Sequence, residues 1–252
     1  MQRLRPILAA ALCGGALLLL PGPCSARPYV NLETGAAFNG RNVVRIPPDG
    51  GTQFSLSDDL DARAAGFVRV RAGVRFGRRH EVSVLVAPLR FRATGVSDRE
   101  IRFAGETFPA GAALEGRYRF DSYRVSYLYR VWRARRTHLD LGATAKIRDA
   151  AIRMEGAGRS AEKANTGFVP LLAFRFGWQA TARWAIVCMG DALAAPGGQG
   201  RAEDLFAGFV FQPDAHWAGA IGYRLLEGGA DVAEVYNFAL VHYASLAVEY
   251  VF

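Results

Sequence analysis

The residues able to do chemistry are arginines and carboxylates set at alternate positions. Glu33, Arg69, Arg71, Arg75, Glu81, Arg124, Arg130, Asp140, Lys146, Arg148, Arg175, Arg224 and Glu249 each fall on the polar side of a segment whose residues alternate between apolar and polar. Successive side chains of a β-strand point to opposite faces, so these groups share one face. They comprise nine bases and four acids. Charges gathered inside a narrow structure must be paired and hydrogen-bonded. The pattern therefore predicts an internal network of arginine–carboxylate pairs, and its excess of bases also suits a constricted passage for small anions.

Other chemistry finds less support. His80, His138, His216 and His242 are scattered singly, and no Cys/His spacing suits a metal. No metal and no cofactor is expected. His242 and Ser245 are three residues apart, so within a strand they face opposite ways and cannot act together. Cys188 reads as a small apolar filler. Acids gather in the longer connections, among them Asp49, Asp58, Asp59, Asp61, Asp98, Glu100, Glu203, Asp204 and Asp231. Hard oxygen ligands of this kind suit Ca²⁺ or Mg²⁺, but no calcium-loop spacing is present. Asp191 with Arg201, Glu203 and Asp204, and Arg224 with Glu227, Asp231 and Glu234, read as ion networks at the rim.

Strands must position these groups. Val68, Val70, Ala72, Val74 and Phe76 alternate with Arg69, Arg71, Gly73 and Arg75; Tyr123 to Val131 and Leu139 to Arg148 repeat the pattern. Short connections near 77–80, 133–136, 179–183 and 213–216 alternate with longer ones at 47–63, 93–116, 155–166, 195–202 and 228–231. In an up-and-down barrel this places all short turns at one end and all loops at the other. The rhythm predicts ten strands, at 29–46, 64–76, 80–92, 117–132, 137–154, 167–178, 184–194, 203–212, 217–227 and 233–252. Eight or twelve stay open, because Ile101–Phe108 reads as an extra hairpin arm. Pro88 and Pro170 each remove a ladder donor and predict a bulge or break.

Both ends carry signals. Arg3 and Arg5 precede a 14-residue apolar stretch from Ile7 to Leu20, then Pro21, Pro23 and small residues to Ala26. This is the pattern of a secretory signal peptide, residues 1–26, and the stretch is short of the about 20 residues of a membrane helix. Cleavage after Ala26 lowers the formal charge from +8 to +6. The bases are nearly all arginine, with lysine only at 146 and 163. That reads as genomic base composition, and no nucleic-acid partner is expected. The last segment presents Leu240, His242, Ala244, Leu246, Val248, Tyr250 and Phe252 on one face.

With that terminal alternation ending on Phe252, the chain resembles bacterial outer-membrane β-barrel proteins at the superfamily level. The resemblance implies an all-β, antiparallel transmembrane barrel over 27–252, located in the cell outer membrane. Its implied partners are outer-membrane lipid, lipopolysaccharide and the barrel-assembly machinery, which would read Tyr250 and Phe252. Long strands and aromatic residues near strand ends favour this over a soluble barrel, with apolar residues facing lipid and charges facing the lumen. Some ten-stranded barrels of this kind are proteases with Asp and His pairs at the outer rim. Some smaller ones deacylate lipid A with a His and a Ser two residues on. Neither pattern matches here. The expected role is structural or surface-interacting with a charge-plugged lumen; the alternatives are an enzyme with a rim site and a narrow anion channel.

Overall fold

A strand with one apolar face can lie in lipid only if every backbone donor and acceptor finds a neighbour, which closure of the sheet provides. The computed structural model describes residues 26–194, 200–232 and 235–252. The expected signal peptide, Ala26 apart, and Glu234 lie outside the described residues. Strand β1 (Arg27–Arg45) is followed by the short β2 (Phe54–Ser55) and β3 (Asp61–Ala62), then by β4 (Ala65–Phe76), β5 (His80–Ala87) and β6 (Arg90–Val96). A small hairpin, β7 (Ile101–Phe103) and β8 (Glu106–Phe108), precedes β9 (Ala113–Arg133), β10 (Thr137–Gly156), β11 (Arg159–Gln179), β12 (Trp184–Ala194), β13 (Gly200–Phe211), β14 (Trp217–Val232) and β15 (Val235–Val251).

Strands β5 and β6 form one staircase along β9, so ten staves close the barrel, each antiparallel to the next. The seam joins β1 to β15 from Tyr29 opposite Val251 to Arg45 opposite Tyr236. The expected break at Pro88 is present, between β5 and β6. At Pro170 the expectation fails: β11 runs through unbroken. Pairing of β11 with β12 ends at Leu172, so Pro170 lies where one ladder has already stopped. Ile101–Phe108 forms its own two-stranded sheet and adds no stave, which leaves the count at ten.

Two expected loops are strand. Residues 155–166 continue β10 and β11 to a tight turn, where Ala157 (φ 50°) and Gly158 (φ 74°) take the left-handed pair of values that favoured hairpin turns use. Residues 228–231 extend β14. Both stretches rise beyond the lipid-facing rows, where no apolar face is required, so their polar composition resembles that of a loop.

The outer wall is apolar. Val70, Val84, Val125, Leu141, Leu172, Phe209, Ile221 and Leu246 are exposed on it. Trp132, Trp178, Trp184 and Trp217 ring the short-turn end, with Trp217 packed on Tyr250 at 4.7 Å and Tyr250 on Phe252 at 5.0 Å. On β9 the lipid-facing stretch runs from Tyr123 to Trp132, within the roughly 9–11 residues of a tilted membrane-crossing strand. Short turns mark the periplasmic side of such barrels and long loops the outside.

Candidate functional site: the barrel interior

The inward parity brings charged side chains from opposite staves into contact, in two levels. Nearest the short turns, Glu81 (β5) accepts a bidentate pair from Arg175 (β11), at 2.6 and 2.7 Å, with Arg75 Nε at 3.1 Å and Tyr29 Oη at 2.8 Å. Arg75 also meets Glu249 at 2.9 Å, and Asp140 holds Arg130 at 2.7 Å and Arg175 at 3.6 Å. Arg71, between the levels, donates to Ser83 Oγ at 2.9 Å.

The middle level centres on Asp204 of β13. It accepts from Arg69 (β4) at 2.9 Å, from Arg124 (β9) at 2.5 Å, and from Arg224 (β14). Arg224 reaches on to Glu33 (β1) through two hydrogen bonds of 2.8 Å, and Arg69 lies 3.4 Å from Glu33. The second arm of Arg124 binds Asp191 (β12) at 2.6 Å, and its Nε donates to Ser122 at 2.9 Å. Thr144 donates to Asp191 at 2.7 Å and contacts Ser126 at 2.7 Å. The Arg124 side chain is 1% exposed and that of Asp204 2%. Enclosing charges this far is costly unless they are paired and hydrogen-bonded.

Of the groups placed on the inner face by alternation, Arg71, Lys146 and Arg148 take part in none of these ion pairs. Lys146 Nζ sits 4.8 Å over the Phe120 ring, a cation–π contact. Arg148 binds the Asn165 side chain and lines a cavity of about 510 Å³, between β10–β11 and β14–β15, at the loop end. Asp191 and Asp204, expected at the rim, are instead buried in the middle level. Both lie near the loop-side ends of their strands, where position along a single strand places them at the rim. They add two acids to the four expected inside, which lowers the excess of bases among these residues from five to three. The Arg201–Glu227 pair does lie towards the loop end.

Above the charges the lumen turns apolar. Phe54, Leu56 and Leu60 from the first long connection and Ile101, Phe103 and Phe108 from the β7–β8 hairpin fold into the mouth. They pack against inward residues of the wall such as Phe91, Leu114, Ile152, Met154 and Val241. Phe54 meets Phe103 edge to face at 5.6 Å. Ile101, Phe103 and Phe108 are fully buried.

None of the four histidines faces this mouth. His80 contacts Tyr127 Oη at 2.8 Å on the outer wall near the short turns, His138 is at the same end, and His216 binds the Val251 carbonyl at 2.8 Å. His242 shares a 2.5 Å hydrogen bond with Tyr223 on the outer wall, while Ser245 is buried inside, so the two face apart as their spacing predicts. Among the described residues no cluster of His, Cys, Asp and Glu could hold a metal ion.

A closed ten-stave antiparallel barrel with an apolar outer wall, an aromatic girdle and a lumen charged in its lower and middle levels defines the class by architecture: it has the fold of an outer-membrane β-barrel. The Escherichia coli outer membrane protease OmpT shares the fold, with a TM-score of 0.62 at 5% identity over 90% of this chain and 97% of that one. The transport unit of the E. coli autotransporter AIDA-I aligns over 96% of this chain and 94% of its own, at 8% identity and a TM-score of 0.45. Neisserial surface protein A aligns over 89% and 97%, at 12% identity and a TM-score of 0.37. No family model and no curated protein sequence matches the chain.

Proposed function

We propose that this protein is a non-conducting outer-membrane barrel with a structural or surface-interacting role, its lumen plugged by its own side chains. The observation that carries this reading is Asp204, which gathers guanidinium groups from β4, β9 and β14 across the barrel interior. A barrel of about this size is just wide enough for side chains to fill. The apolar cap above closes the same path a second time. With the interior occupied, the surface left for partners is the outer wall and the loop end. In this reading residues 1–26 are removed on export, and the assembly machinery recognises Tyr250 and Phe252.

Single-protein conductance across a planar bilayer tests the plug. The expected trace is flat for the unmutated protein. A large, steady conductance would overturn the reading and favour the narrow anion channel.

A further inference from the structure

The outer wall carries a second charge pattern, just beyond the lipid-facing rows. In strand register Tyr123, Ile147 and Phe168 lie side by side and face lipid. One pleat farther out come Asp121 and Asp149, paired across β9 and β10. Next, Arg90 is directly opposite Arg119. In the following row Arg92 is opposite Arg117, Arg117 opposite Arg153, and the Arg63 amide bonds the Arg92 carbonyl. Four neighbouring chain segments thus present arginine at one height.

Like charges directly opposite each other destabilise a sheet, and this row is not needed to close the barrel. Carboxylates offset it only in part. Asp121 holds Arg90 at 2.7 Å and Asp149 holds Arg119 at 2.8 Å; Arg92 and Arg117 share Glu115 at 3.1 and 2.7 Å, and Arg153 meets Glu155 at 2.5 Å and, at the edge of the cleft, Glu162 at 3.8 Å, so six arginines face five acids. Arg63 has no carboxylate in ion-pair range among the described residues. The side chains of Arg92, Arg117 and Arg153 are 63%, 47% and 43% exposed. They border a cleft of about 570 Å³ whose wall includes the small residues Ala64, Ala65 and Ala151.

We infer that this cleft binds the phosphate-bearing headgroup of an outer-leaflet glycolipid. Guanidinium forks match phosphate oxygens bidentately and hold them in partly dry surroundings. The height of the row selects a lipid over a free anion: a headgroup seated there leaves its acyl chains along Tyr123, Ile147 and Phe168. The site is on the outside of the barrel and is independent of whether the lumen conducts.

The test uses the folded full-length barrel in phosphatidylcholine bilayers. Binding of bis-phosphorylated lipid A is compared with binding of its dephosphorylated form and of inorganic phosphate. Replacing Arg92, Arg117 and Arg153 together by Gln is expected to weaken lipid A binding by about tenfold or more, equivalent to about 1.4 kcal/mol, and to leave the dephosphorylated form unaffected. If the triple variant lacks the heat-shifted folded form on gels, Arg92→Gln and Arg153→Gln are read singly in the same way. Unchanged lipid A binding in the variants, or indifference to removal of the phosphates, would overturn the inference. Inorganic phosphate binding as tightly as lipid A would overturn the lipid as its source.

Discussion

The two halves of the lumen reach the same end, a filled interior, by opposite means. Towards the short turns and the middle it is packed with guanidinium and carboxylate groups, of which Glu81, Arg124, Asp204 and Arg224 are each held by two or more directional bonds. Towards the loops it is packed with Phe, Leu and Ile side chains that have no directional demand. The charged half needs every partner, because one missing acid strands several bases in a dry place. The apolar half degrades gradually, because neighbouring side chains can partly collapse into a vacated space. Rigid staves supply the first set and connecting segments supply the second, which fits the tolerance each kind of packing has for positional error.

Asp204→Ala is expected to have the largest effect. It leaves Arg69, Arg124 and Arg224 short of their shared partner, and should cost about 3–5 kcal/mol in denaturant unfolding from bilayers, or open the lumen to ions. Ile101→Ala, in the cap, should cost about 2–3 kcal/mol and leave conductance at zero. If Ile101→Ala proved the costlier change, or alone opened the barrel, the contrast between the halves would fail. The smallest effect is at a short turn. There Asp214 accepts the Trp217 and His216 amides, both at 2.8 Å, and these backbone donors hold its carboxyl below the usual range. A lowered pKa contributes stability that is complete above the unfolded value, about 3.9, and is lost as pH falls through the folded one. Asp214→Ala should therefore unfold slightly more easily than the parent at neutral pH, and the two should converge in acid. A difference that grows in acid would refute this assignment.

Much of this architecture was legible in the sequence because the signal is strictly local. Alternation in Val68–Phe76 or Tyr123–Val131 assigns each side chain to a face without reference to any other strand, and the turn rhythm yields the ten staves. Depth along the barrel is different. It depends on how each strand is staggered against its neighbours, which no single segment encodes. Position along a single strand therefore puts Asp191 and Asp204, near their strand ends, at the rim, although stagger carries both to the centre. The cap leaves no signal in the sequence for a related reason. Phe54 to Leu60 and Ile101 to Phe108 lack a long alternating run, and their apolar side chains acquire a face only once the barrel mouth exists to receive them. The arginine row likewise spans four separate segments, and only pairing register brings it to one height.

The seam between β1 and β15 has a kinetic consequence. Pairing there joins Tyr29 to Val251, nearly the whole described chain apart, and Glu33 reaches Arg224 only across it. Contacts so distant in sequence are slow to form, since loop entropy must be lost before they contribute. Neighbouring hairpins such as β9–β10 can zip early, but Glu33 stays wet until the last two strands meet. Desolvation of the middle level and closure of the cylinder are then one event. A half-closed barrel would be hydrated along its core and easily reopened; a closed one would be dry and slow to unfold. The charges at the centre thus act as a latch whose bolt is thrown only when the ring is complete.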